Sequence, residues 1–191
     1  MNKGEQTKQY LLSATKELIR DIGCSKLTFK NIMERTNLSK GAIYHHVKNK
    51  NQLLALVLLE RNKEINSKFY SKVDYNKPNL DGPLEEILTS IHPLSDPAEV
   101  SNQIFFHLIS QSHDSEVAGV LQQLYEQSYG LSKTWIKEGQ ENHVISKEID
   151  ADSASELFTM LTYGFRVKSM IAGESNTSSV FEFIREYLNK R

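Results

Sequence analysis

TFKNIMERTNLSKGAIYHHVKNKNQL, residues Thr28 to Leu53, reads as two short helices, a tight turn between them and the start of a longer helix. Thr28 is placed to cap the first, and Phe29, Ile32 and Met33 give it an apolar stripe at helical spacing. Asn37 is one of the few non-glycine residues that accepts the left-handed backbone a sharp turn demands. Ser39 can cap the second helix, whose apolar side is Ala42, Ile43 and Val47. Its other side carries Lys40, Gly41, Tyr44, His45 and His46. A short second helix with a small-residue, basic outer face has the form that a reader of the DNA major groove requires. Asn49 to Gln52 resembles a capping box and opens a further helix near Lys50. A lysine there opposes the helix dipole, but it becomes useful once a phosphate docks at the helix N-terminus.

Charge separates this stretch from the rest of the chain. Residues 1–50 carry ten Lys/Arg against four Asp/Glu, and residues 51–191 carry thirteen against twenty. A basic head on an acidic body suits a nucleic-acid module joined to one of different purpose. The single cysteine, Cys24, cannot close an internal disulfide, so a reducing cytoplasm is expected. The N-terminus lacks the apolar core of a secretory signal, and the longest apolar run, Leu53 to Leu59, is too short for a membrane span.

Outward from the motif, helical periodicity continues to both ends. A helix over 5–22 has Leu11, Leu18 and Ile22 on one face and stops at Gly23. With the two short helices it forms a three-helix head, with Leu11, Leu18, Ile22, Phe29, Ile32, Ile43, Val47 and Leu53 as its core. So small a core should lean on the C-terminal part of the chain. The fourth helix runs from Lys50 to about Lys72, and is expected to act as a lever between head and body. Pro83 opens the next helix and His92-Pro93 stops it, while Asp96-Pro97-Ala98-Glu99 predicts another helix start. Long helices are expected over 115–140 and from Asp150, and a last one after Asn176 or Thr177. No strand-period segment, repeat or low-complexity tract occurs. The fold expected is all-α with about nine helices, divided into a head, residues 1–52, and a body, residues 53–191.

The order Thr28, Ile32, Leu38-Ser39, Gly41, Ile43-Tyr44, His46, Lys50 and Leu53, preceded by Leu18 and Gly23, resembles the N-terminal motif of the TetR family of bacterial repressors. The resemblance covers roughly the first 55 residues, with three departures. Asn37 replaces a customary glycine, Val47 an aromatic residue and Asn51 an acid. It implies a helix-turn-helix DNA-binding domain, a larger helical ligand-binding and dimerisation domain, and a homodimer on a palindromic double-stranded operator. It also implies roles for single residues. Thr28, Tyr44 and Lys50 would contact phosphate, Lys40, Gly41, Ala42 and His45 would face the groove, and Ser39, the cap between them, would belong to the same DNA-binding set. His46 would support the backbone contact. The dimer interface would be built from Leu157, Phe158, Leu161, Phe165, Val180, Phe181, Ile184 and Leu188.

A small, largely apolar effector is expected in the body, where Phe105, Phe106, His107, Tyr125, Tyr129, Trp135 and Tyr163 are candidates to line a pocket; aromatic residues at this spacing serve equally as core. An enzyme is not expected: the chain has no metal-ligand spacing, nucleophile elbow, phosphate loop or glycine fingerprint. No cofactor or metal is expected, and the adjacent His45 and His46 point about 100° apart on a helix. Two alternatives stay open: a helical protein-interaction module of the same shape, and a constitutive DNA-binding protein without an effector.

Overall fold

In the computed structural model residues 2–173 and 178–188 are described. Among them are nine α-helices, a short 3-10 helix and no strand. The α-helices are α1 (Lys3–Lys26), α2 (Phe29–Thr36), α3 (Lys40–Tyr44), α4 (Lys50–Ser71), α5 (Asp81–Ile91), α6 (Val100–Ile109), α7 (Ser115–Glu141), α8 (Ala151–Ala172) and α9 (Ser178–Leu188). The 3-10 helix, His92–Ser95, forms where Pro93 interrupts the chain. The expected caps at Asn176 or Thr177 lie outside the described residues. The all-α class with about nine helices therefore stands.

The chain forms two compact units. Unit 1 comprises residues 1–60 and 98–124, and unit 2 residues 61–97 and 125–191. The division at residue 52 expected from sequence is not where compaction divides the chain, because α6 and the first part of α7 belong with the head.

In unit 1, Gly23 takes φ +77°, the left-handed region that glycine enters without steric cost, and so kinks α1 near its end. Thr28 and Asn31 form a reciprocal capping box at the start of α2. Asn37 sits at φ 55°, ψ 18°, and its N–H closes on the carbonyl of Met33 at 2.8 Å. Leu11, Leu18, Ile32, Ile43, Val47 and Leu53 are buried in one cluster as expected, with Phe29 packed against it. Ile22 is only half-buried, on the flank of the core. Leu12 and Ile19, which the one-face reading of α1 omits, are fully sealed, because α1 packs on α6 as well as on α2. A helix covered from two sides buries two stripes.

In unit 2 the second half of α4 and the second part of α7 are cross-linked by polar side chains. Asn62 reaches Gln127 and Ser128, the Trp135 indole N–H donates to Asn66, and the Tyr70 hydroxyl donates to Glu138. Partner numbers rise together, so these segments run in the same direction. Helix α8 runs opposite to α7, with Tyr125 bonded to Glu156, and Tyr129 and Lys133 both to Asp152. Asp150 caps α8 by accepting from the N–H of Ser153 at 2.8 Å. Leu84, Ile136, Ile145, Ile149, Ala154, Ile184 and Leu188 form the core. Gly139 is required by close approach, since a Cβ there would lie 2.5 Å from Ile145 Cδ1.

Two expectations need correction. Residues Asp96 to Glu99 form a turn, and α6 begins only at Val100, with the Glu99 side chain as its cap. The apolar stripe assigned to a dimer interface is mostly the inward face of α8 and α9. Phe165, Ile184 and Leu188 are buried inside unit 2, and Phe158, Leu161, Val180 and Phe181 pack against its core. Leu157 is half-buried. The outward face of α8 instead presents Met160, Val167, Met170 and Ile171, and α9 presents Phe183, all exposed.

Candidate nucleic-acid interface and internal cavity

Helix α3 is built to offer one face. Ser39 Oγ accepts from the Ala42 N–H at 3.2 Å, which fixes the start of the helix. Ile43 and Val47 anchor its inner side in the core of unit 1. Lys40, Gly41, Tyr44 and His45 are left exposed, with Ala42 and His46 half-buried beside them. The Lys40 ammonium lies 5.5 Å from the centre of the Tyr44 ring, and Phe29 meets that ring edge-on at 5.2 Å. Together these contacts hold the Tyr44 hydroxyl on the surface beside a positive charge. The rings of His45 and His46 stand 5.2 Å apart. Burial lowers the pKa of His46, with His45 and Lys8 adding to the effect.

The other residues expected at this surface have additional duties. Thr28 is exposed, but its hydroxyl is engaged in the α2 cap. Lys50 is half-buried, its ammonium lying 3.4 Å from the carbonyl oxygen of Ser25. Burial lowers its pKa. Burial also pushes the neighbouring Cys24 thiol up to about 11, which marks an inert core residue.

The turn between α3 and α4 is held by a residue that sequence reasoning missed. Both carboxylate oxygens of Glu116, at the start of α7, accept from Asn49 Nδ2 at 2.9 Å, and Oε1 accepts from Gln52 Nε2 at 2.7 Å. Asn49 Oδ1 caps α4 through the N–H of Gln52, and Gln52 Oε1 receives the N–H of Lys48, each at 2.9 Å. Glu116 thus positions the segment that carries Lys48 and Lys50. Nothing local to Glu116 signals this, because its partners are more than sixty residues away.

Unit 2 encloses a cavity of about 170 Å³. Its walls are chiefly apolar, including Ile65, Leu84, Phe158 and Phe165, with Trp135 stacked on Phe69 at 4.7 Å. Arg61 and Arg166 also line it. Of the seven aromatic and histidine candidates, Trp135 and Tyr163 line this cavity. Phe105, Phe106 and His107 belong to unit 1, where Phe105 packs on the core and His107 bonds to Gln111. Tyr125 and Tyr129 instead turn their hydroxyls to carboxylates of α8. Among the described residues no group of three His, Cys, Asp or Glu is placed to hold a metal, and no helix is long and apolar enough to cross a membrane.

Residues 11–57 match the family model described as bacterial regulatory proteins, tetR family. No curated protein matches the chain. Among solved structures, a TetR transcription regulator from Haloarcula marismortui aligns with a TM-score of 0.70 and 17% identity, covering 97% of each chain. GusR of Salmonella enterica aligns at 0.67 and 17%, covering 100% of this chain and 99% of that one. The fatty acid degradation regulator FadR of Bacillus halodurans aligns at 0.67 and 16%, covering 98% and 96%. These likenesses carry the fold over the whole length, and the matched head carries the motif. Residues 11–57 thus carry the DNA-binding motif of the TetR family of bacterial regulators, and the chain as a whole has the fold of that family's solved structures.

Proposed function

We propose that this regulator binds a palindromic operator as a homodimer, represses transcription, and is released by a small, largely apolar effector held in the cavity of unit 2. The observation that carries the reading is the outward face of α3, where Lys40, Gly41, Tyr44 and His45 stand exposed on a helix anchored from behind by Ile43 and Val47. Residues 1–52 read DNA, and residues 53–191 bind effector and dimerise. Gly41 and Ala42 allow close approach to base edges, and Lys40 and His45 supply donors to them. Tyr44, Thr28 and Lys50 contact phosphate, with Ser39 and His46 supporting them.

One five-residue helix reads too few base pairs for specificity, so two copies are needed. The outward stripe Leu157, Met160, Gly164, Val167 and Ile171 of α8 recurs at alternating steps of three and four residues, the spacing of a helix-packing seam. With Phe183 of α9 it forms an apolar face suited to its own copy across a two-fold axis.

The effector acts by differential affinity: a switch from 1:99 to 99:1 requires about 5.5 kcal/mol between the two states. Helix α4, which contributes residues to both units, is the proposed transmitter. The test is fluorescence anisotropy with duplexes from the chain's own upstream region, combined with sedimentation. A dimer that binds one such duplex tightly, with weaker binding to scrambled DNA, is the expected result. A chain that remains monomeric, or binds every duplex equally, overturns the proposal.

A further inference from the structure

Charge in the cavity of unit 2 is arranged along its length. Arg61 lies nine residues before Tyr70 on α4, about 13–14 Å along the helix. Tyr70 gives its hydroxyl to Glu138, so that carboxylate stands at the far end. Asp74 stands beyond Tyr70 in sequence and accepts from the backbone N–H groups of Asn76 and Lys77. Arg166 belongs to the Arg61 end. Helix α8 runs opposite to α7, with Asp152 beside Lys133 and Glu156 beside Tyr125, so moving on from Glu156 to Arg166 leads away from the Glu138 end of α7. Helix α8 also packs on the 3-10 helix His92–Ser95, and Arg61 donates to the carbonyl of the nearby Ser90.

Arg166 is 7% exposed, and its guanidinium cannot give up its charge on burial. In a low-dielectric wall that charge acts strongly on whatever enters. Tyr163 adds a hydroxyl near it: burial raises the phenol's pKa, and Arg166 pulls it back. The two carboxylates are already engaged at the opposite end, and the walls between are aromatic and aliphatic.

We propose that the cavity takes an apolar monocarboxylic acid, its acid group at the end where Arg61 and Arg166 stand and its body along the Trp135 wall. A planar guanidinium fork matches a carboxylate in a way that no neutral headgroup can. This inference rests on the effector reading above.

Trp135 is the only tryptophan and lines the cavity, so its emission reports occupancy directly. The full-length protein is titrated with octanoate, 1-octanol and octylamine, which share a chain and differ at the head. Octanoate is expected to bind at least tenfold more tightly than either of the others. Arg166→Met and, separately, Arg61→Gln should each shrink that preference, weakening octanoate more than octanol, with melting curves confirming that the variants fold. If Arg166→Met fails to fold, Arg61→Gln alone decides the matter. Equal affinity for octanol, a preference for octylamine, or a preference for octanoate that survives in the folded variants overturns the acid assignment. If octanol alone binds and releases DNA, the acid class fails and the effector site stands. If no probe changes Trp135 emission or DNA binding, both fail together.

Discussion

Replacing Gly41 by alanine separates reading DNA from folding. A Cβ at this position would find only Ser39 Oγ within 4 Å, at 3.9 Å, so the free protein has room for it. Alanine is the better helix former, and the change should be neutral or stabilise by up to about 1 kcal/mol. For a chain of this size that raises the melting temperature by no more than about 4 °C. On DNA the same methyl would intrude where the helix approaches base edges. Overpacking a close-fitting contact costs roughly 1–3 kcal/mol, so affinity should fall by about fivefold to 150-fold. Anisotropy titrations at one fixed salt concentration, with parallel thermal melts, measure both quantities. Unchanged affinity would show that Gly41 does not lie against the groove, and a clear loss of melting temperature would show that the space around it is not open.

Four further outcomes are expected. Lys50→Ala should flatten the slope of log affinity against log salt by about one unit on every sequence; an unaltered slope would reduce Lys50 to its contact with Ser25. Val167→Glu should weaken self-association at least a hundredfold by sedimentation without lowering helicity, and a variant that stays dimeric would remove the outward face of α8 from the interface. Gly139→Ala should destabilise the protein by about 1–3 kcal/mol in urea, since the methyl would collide with Ile145, and Ile145→Val should recover part of the loss. His46 and His107 both have pKa values lowered from 6.5, first by burial and then by neighbouring positive charge. The unfolded chain therefore binds protons more readily, and their contribution to stability, complete above pH 6.5, should decline as the pH falls below that value. A urea midpoint that holds constant or rises between pH 7 and 5.5 would contradict this.

Local signals proved legible at most turns and caps, the exception being Asp96-Pro97-Ala98-Glu99, which forms a turn ahead of the helix it was expected to open. Asn37 at its left-handed turn, Gly23 at the end of its helix, and the caps at Thr28, Ser39 and Asp150 all depend on groups within four residues of themselves. Which face of a helix is covered depends on distant partners, and there periodicity falls short. Helix α8 has large apolar side chains on two sides: Phe158, Leu161 and Phe165 turn inward, and Met160, Val167 and Ile171 outward. Both stripes have helical spacing, and neither is marked as the inner one. Leu12 and Ile19 were hidden for the same reason, since only the approach of α6 explains their burial. Glu116 reads as an ordinary surface acid until Asn49 and Gln52 come to meet it.

That embrace also has a consequence for synthesis on the ribosome. Unit 1 closes only when residues 98–124 join residues 1–60, because α6 covers α1 and Glu116 grips the turn before α4. At ordinary elongation speeds, adding the residues from Arg61 through Leu124 delays that closure by roughly 3–13 s after Glu60 is added. A nascent or prematurely terminated chain that already contains all of α3 still lacks the brace behind it. Chains that end before Glu116 should therefore hold α3 less firmly than finished molecules do.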